Sequence, residues 1–342
     1  MTLEIPKLAA TSPILLQAVV SYAASHLQDR STAEEAHERC VRMLIVELSS
    51  AEIVNDTAVL CAIVILRVFE QLNVAETGTD AEHHLSGSSA LLSKSQGYTI
   101  DPTSPGLREA AFWIYVRQCL YNACVFQQPP NIDLHHELSP IPHSWDGPSR
   151  LRSETAWANN ITWICVTIVH FCFGKDSNEP STRMLKWQEL SIMLESWRNT
   201  RPDTFDPIWQ SAEPTDSCPF PEIRFVADWH LMAFGFYSLC YMLLSIYKPA
   251  PRFAIRRVQR RMSQTDAAVI GHARALCGAC WYAPNTVPSS ITLCHTAFIW
   301  GPLMIDRTEQ EGVIKLLERL EQRDKWPTAW IVSSLKEEWS IT

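Results

Sequence analysis

Apolar residues recur at three- and four-residue intervals along most of this 342-residue chain, a period that fits helices and not strands. Ser12-Pro13 can cap and start a helix running to about Leu27, with Ile14, Ala18, Tyr22 and His26 on one stripe. Ser31-Thr32, with Glu34-Glu35 in the first turn, open a second helix to about Ser49. Asn55-Asp56-Thr57 cap a third, whose buried stripe is Val59, Ile63, Leu66 and Phe69. A shorter helix is expected from Asp80 through Leu92, and a strongly apolar one over Leu107–Phe126. Further helices are expected over about Ser153–Phe173, Thr182–Thr200, Ile223–Tyr247, Arg257–Tyr282, Gln310–Gln322 and Thr328–Trp339. No strand-period alternation, hairpin dipeptide pair or fixed-length repeat emerges. The expected fold is all-α, a single large multi-helix bundle.

Two breaks interrupt the helices. Gly97 to Pro105 is rich in turn residues, and Gln127 to Ser149 holds Pro129, Pro130, Pro140, Pro142 and Pro148. Proline at that density cannot sit in helix interiors, so 127–149 is expected to be a long irregular segment inside one domain spanning 1–342. The charge-free stretch from Ala275 to Ile305 is itself broken by Pro284, Pro288 and Pro302. The runs Thr155–Gly174 and Trp229–Tyr247 are uncharged and long enough to cross a membrane. The first carries Asn159, Asn160, Thr162, Thr167 and His170, and a helix apolar all round can equally form the centre of a large bundle, so no membrane span is expected.

Lys and Arg number 29 against 37 Asp and Glu, a net charge of −8 that disfavours a general nucleic-acid surface. The 11 cysteines have no regular spacing, and most sit within apolar helical patterns, where cysteine behaves as a small hydrophobe. Met1 to Pro6 lacks the basic-then-apolar layout of a secretion signal, so a reduced, intracellular protein is expected.

Catalytic signatures are weak. There is no glycine-rich phosphate loop, and Gly87-Ser88-Ser89 lacks the closing glycine of a nucleophile elbow. His37-Glu38 has no second histidine at zinc-protease spacing, and His135-His136-Glu137 lies in the Pro-rich segment without a partner motif. Asp203 and Asp206 sit among prolines and read as turn residues. Cys277-Gly278-Ala279-Cys280, with Cys294-His295 downstream, could supply four metal ligands, but the second pair is adjacent and would diverge on a helix. These cysteines are therefore expected to be buried apolar groups, with no metal and no cofactor bound. Arg252, Arg256, Arg257, Arg260 and Arg261 form the candidate basic surface, with a solvated helix face as its default role.

Several segments, taken in order, resemble the regulatory region of fungal binuclear zinc-cluster transcription factors, the fungal-specific transcription factor domain. Ile5-Pro6-Lys7-Leu8-Ala9, Ser12 to Ala18 and Ala23-Ala24-Ser25-His26-Leu27 resemble its opening helix. Asp56 to Ala62 with Ile65-Leu66-Arg67 resembles the helix that follows its second. His84-Leu85-Ser86-Gly87 resembles its H-L-x-G segment, and Leu107 to Trp113 with Arg117-Gln118 its W-x-x-x-R-Q helix. Gly87 would permit close helix contact, and Trp113 and Arg117, one turn apart, could stack and anchor a packing edge. The family's six-cysteine DNA-binding cluster has no counterpart in the chain.

The resemblance implies a nuclear regulatory or interaction domain that controls transcription by sensing an effector or partner, and not an enzyme. Its partners would be the transcription machinery or regulatory proteins, with a small-molecule effector and homodimerisation both compatible. Sequence-specific DNA binding is not expected of this chain alone, the zinc cluster being either lost or left out of the gene model. The alternative is an all-α enzyme with an apolar inter-helix pocket, such as an isoprenoid-type enzyme. That chemistry needs an aspartate-rich metal motif on a helix face, and the chain has no D-D-x-x-D.

Overall fold

The computed structural model describes residues 3–48, 56–77, 84, 99–135, 137–141, 150–174, 179–211, 214–215, 217–249, 262–283 and 287–341. The described residues are dominated by helices, and the protein is all-α with a few two- and three-residue strands. Its contacts divide the chain into two compact units. The first comprises Met1–Cys119, Asn131–Pro140 and Glu321–Pro327, and the second comprises Leu120–Pro130, Ile141–Leu320 and Thr328–Thr342.

The first unit opens with α1 (Glu4–Ala9), α2 (Pro13–His26) and α3 (Arg30–Glu47). Ser12 caps α2 by accepting from the Leu15 N–H, and Pro13 occupies the first turn, where its missing N–H leaves no gap. Gln28, in the left-handed region at φ 64°, turns the chain, and Asp29 caps α3 through the Thr32 N–H at 3.2 Å. The buried face of α2 is Ile14, Leu15, Ala18, Ser21 and Ala24, which is rotated from the expected stripe: Tyr22 is exposed. Small residues win this face because α3 answers with Ala33, Ala36, Cys40 and Leu44, and a tyrosine would hold the helices apart. Ser21 enters the core without an orphaned hydroxyl, since it donates to the Ala18 carbonyl at 2.9 Å.

Helix α4 (Thr57–Thr77) starts at Asp56, whose carboxylate accepts from the N–H groups of Ala58 and Val59. Val59, Ile63, Leu66 and Phe69 are all buried, and so are Leu60, Cys61, Ala62 and Val64, making it a central helix of the unit. Beyond it, β1 (Thr99–Ile100) pairs in parallel with β2 (Glu137–Leu138), and α5 (Leu107–Phe126) follows Gly106, which adopts φ 145°. Gln118 of α5 donates to the Val64 carbonyl of α4 at 3.0 Å. Of the expected helix from Asp80 to Leu92, only His84 lies within the described residues, and Gly87 lies outside them.

The second unit is built on α6 (Arg150–Phe173), α7 (Pro180–Thr200), α8 (Asp228–Ile246), α9 (Gln264–Tyr282), α10 (Val287–Trp300), α11 (Arg307–Asp324, as far as Leu320) and α12 (Ala329–Glu338). α6 and α8 are long and apolar enough to cross a membrane, and 72% of each candidate span is buried, as in core helices. α8 starts at Asp228 and not at Ile223. Glu222–Arg224 instead form strand β4, antiparallel to β3 (Trp209–Ser211), which puts Ile223 in the core. α9 begins at Gln264, where Ser263 and Asp266 exchange bonds in a capping box. Gly301–Leu303 form a 3-10 turn that takes up Pro302.

Two glycines let helices pack against the segment Pro219-Phe220-Pro221. A Cβ on Gly278 of α9 would lie 2.0 Å from the Pro221 carbonyl oxygen, and one on Gly312 of α11 would lie 2.7 Å from Pro219 and 2.9 Å from Phe220. α11 therefore closes on the fully buried Phe220 ring and α9 on the backbone beside it. Arg274 and Glu309 tie α9 to α11 with a bidentate pair at 2.6 and 3.0 Å.

Candidate functional site

Four groups of polar residues were singled out by pattern, and the structure treats them differently. Cys277, Cys280 and Cys294 are buried free thiols on α9 and α10. Cys280 donates to the Ser289 carbonyl at 3.6 Å and Cys294 to the Ser290 carbonyl at 3.8 Å, so each leans on local backbone. Burial pushes the Cys280 thiol up to about 12 and raises Cys277 and Cys294 as well, which favours thiol over the thiolate that metals and redox partners need. His295 is edge-on to Tyr121, with ring centroids 5.4 Å apart, and neither ring nitrogen reaches a hydrogen-bond partner. Burial pulls its pKa down to about 4, the Ile291 and Thr292 carbonyls acting weakly in the other direction.

Asp203 opens a 3-10 turn, and Asp206 accepts from Arg201 at 2.6 Å, so these carboxylates complete a turn. His135 donates its backbone N–H to Asp133 and Glu137 lies in β2, while His136 is outside the described residues. Arg252, Arg256, Arg257, Arg260 and Arg261 also lie outside the described residues. Trp113 is buried and edge-on to Phe112, and burial brings the Arg117 guanidinium down to about 10.

The constellation that pattern reading missed is in the first unit. Arg67, fully buried on α4, donates to Glu70 one turn on at 3.1 Å. Both carboxylate oxygens of Glu70 lie 3.3 Å from the backbone N–H of His84. The His84 Nε2 stands 3.2 Å from the Nε2 of His37 on α3, and the His37 ring stacks on Phe69 with centroids 4.8 Å apart. Burial holds His37 below its ordinary pKa, against a smaller opposing pull from Glu38. His37 and Phe69 also line a cavity of about 630 Å³, which residues 25–38 of the α2–α3 hairpin share with Glu321, Gln322 and Lys325. Forty-seven residues separate His37 from His84, so no local spacing could have announced the pair. The second unit holds a smaller polar group, in which Trp229 Nε1 and His230 Nε2 each lie 3.1 Å from Glu154 Oε2. Its only sequence signal was the Trp-His step at the start of α8.

The helices that carry these residues, α1 through most of α5, are also where a comparison with known proteins succeeds. Residues 5–124 match the family described as the fungal specific transcription factor domain. That match takes in every segment on which the resemblance to the family rested, including His84 and the Trp113–Arg117–Gln118 turn. No curated protein and no solved structure matches the chain. Within the matched residues, the Arg67–Glu70–His84–His37 series links α4 to His84 and α3. The segment supports a role in transcription regulation.

Proposed function

We propose that this chain is a regulatory and interaction module of a fungal transcription regulator, working in the nucleus by sensing an effector or a partner protein and catalysing nothing itself. The observation that carries this reading is the match of residues 5–124 to the fungal specific transcription factor domain. The cavity beside His37 supports the sensing part, since its wall is mostly polar and charged around an apolar patch of Phe69 and Leu72, a lining suited to a polar effector. The net charge of −8 supports a chain that leaves sequence-specific DNA reading to another element.

Fusing the chain to an unrelated DNA-binding domain tests the reading directly. A reporter carrying that domain's site should rise or fall by at least several-fold relative to the DNA-binding domain alone. A flat reporter across growth conditions overturns it. In competition binding at physiological salt, the isolated chain should show no preference among DNA sequences. A preference of roughly a thousandfold for one sequence would make the chain a DNA reader instead. Neutralising Arg256, Arg257, Arg260 and Arg261 should remove whatever weak, salt-sensitive DNA binding remains.

A further inference from the structure

The two imidazoles of the first unit are spaced for an ion. Tetrahedral coordination with metal–nitrogen bonds of about 2.0–2.1 Å puts neighbouring ligand atoms roughly 3.3 Å apart. His37 Nε2 and His84 Nε2 are 3.2 Å apart. A hydrogen bond between two such nitrogens uses one proton, and a cation placed between them would take that proton's place. Glu70 Oε1 lies 3.8 Å from the same His84 nitrogen, about half an ångström beyond a ligand edge. The carboxylate is kept beside the pair by the His84 N–H and Arg67, and as a ligand it would turn toward the ion from that position.

We propose that His37 and His84 form a binding site for a divalent transition-metal ion of the zinc or nickel type, with Glu70 moving in as third ligand and water completing the shell. Among the described residues no group of three or more His, Cys, Asp or Glu side chains stands ready-made for a metal, so the preformed element is the imidazole pair. Neutral imidazole selects borderline transition cations over magnesium or calcium, which require oxygen ligands. Access runs through the 630 Å³ cavity, where His37 is part of the wall and the charges of Glu34, Glu38 and Glu321 are largely balanced by Arg30, Lys325 and the neighbouring Arg42. Arg67 opposes the added positive charge, and Glu70, which faces both Arg67 and His84, offsets it. The site is independent of the cysteine spacing that led to the expectation of a metal-free chain. Bound metal would cross-link α3 to His84.

The test uses the full chain, stripped with chelator and titrated with Zn²⁺ by calorimetry and with Co²⁺ by visible absorption. One ion per chain should bind with a tetrahedral cobalt spectrum. His37→Gln and His84→Gln should each weaken binding by more than about tenfold, and a Cys277→Ser/Cys280→Ser variant should leave it unchanged. Each glutamine keeps hydrogen-bonding capacity, and circular dichroism checks that the helices survive. Should either variant unfold, the wild-type chain still decides the matter. Diethylpyrocarbonate labelling of His37 and His84, read by mass spectrometry, should be blocked by Zn²⁺. No saturable binding, binding lost only with the cysteines, or labelling indifferent to Zn²⁺ would each overturn the proposal.

Discussion

In the first unit the imidazoles of His37 and His84 meet each other and a carboxylate beside a cavity that His37 lines, whereas in the second His295 packs on the rings of Tyr121 and Phe236 with neither ring nitrogen hydrogen-bonded. Both environments are helical interiors lined by aromatic rings. They differ in what the buried nitrogen can do. A histidine beside a carboxylate and a solvent route can exchange its proton for another ligand, while a sealed one can only be neutral. The His37–His84 pair can thus trade a proton for another ligand, and His295 can only help to hold a shape.

That contrast can be broken most forcefully at Phe220, which fills the space between the glycine faces of α9 and α11. Phe220→Ala should destabilise the second unit by about 3–5 kcal/mol, read as a lower urea midpoint and as loss of amide protection in α8 and α9. If protection fell equally in α2 and α3, the units would not be separate in stability.

Acid sharpens the contrast next. His295 has a folded-state pKa of about 4 against about 6.5 unfolded, so between those values the unfolded chain binds more protons. Its burden is absent above pH 6.5 and grows as pH falls, by roughly 1.4 kcal/mol per pH unit until about pH 4. Burial also brings His272 to about 4, which adds to the effect in the same direction. A His295→Phe variant should lose less stability than the wild type between pH 6.5 and 4.5. An unchanged pH slope would show that the ring is hydrated.

In the first unit, Glu70→Gln keeps the shape but removes the charge facing the buried Arg67 guanidinium. A loss of about 1–3 kcal/mol is expected, with exchange accelerated in α3 and α4 and unaltered in α8. The smallest effect belongs to the exposed Arg39–Glu35 pair on α3. Arg39→Ala should shift stability by less than about 0.5 kcal/mol, and a larger change would mean that this face is covered.

The helices were legible because their caps and periods are local. Ser12-Pro13, Asp56 and the apolar stripe of α4 need no knowledge of the rest of the chain. Strands β3 and β4 were not legible, since three-residue strands show too little alternation and their pairing is set by residues 13 positions apart. The face of α2 was misjudged for a related reason. Tyr22 suits a buried stripe by hydrophobicity, but the small residues of α3 leave it no room, and only the partner helix reveals that. The cysteines were read well because cysteine in an apolar helical run is usually packing material. The His37–His84 pair was invisible because His37 was weighed only against nearby histidines and His84 only as part of a motif, while their meeting depends on how α3 and α4 assemble.

The seven residues Glu321–Pro327 complete a unit whose other described helices lie within the first 119 residues. During synthesis, the cavity wall that holds Glu321, Gln322 and Lys325 cannot exist until the ribosome has passed those residues. At about 5–20 residues per second, the amino-terminal helices wait roughly 10–40 s for that segment after residue 140 has been made. Until then the first unit stands unfinished, with apolar faces available to chaperones. A fragment ending at residue 124 would remain in that unfinished condition permanently.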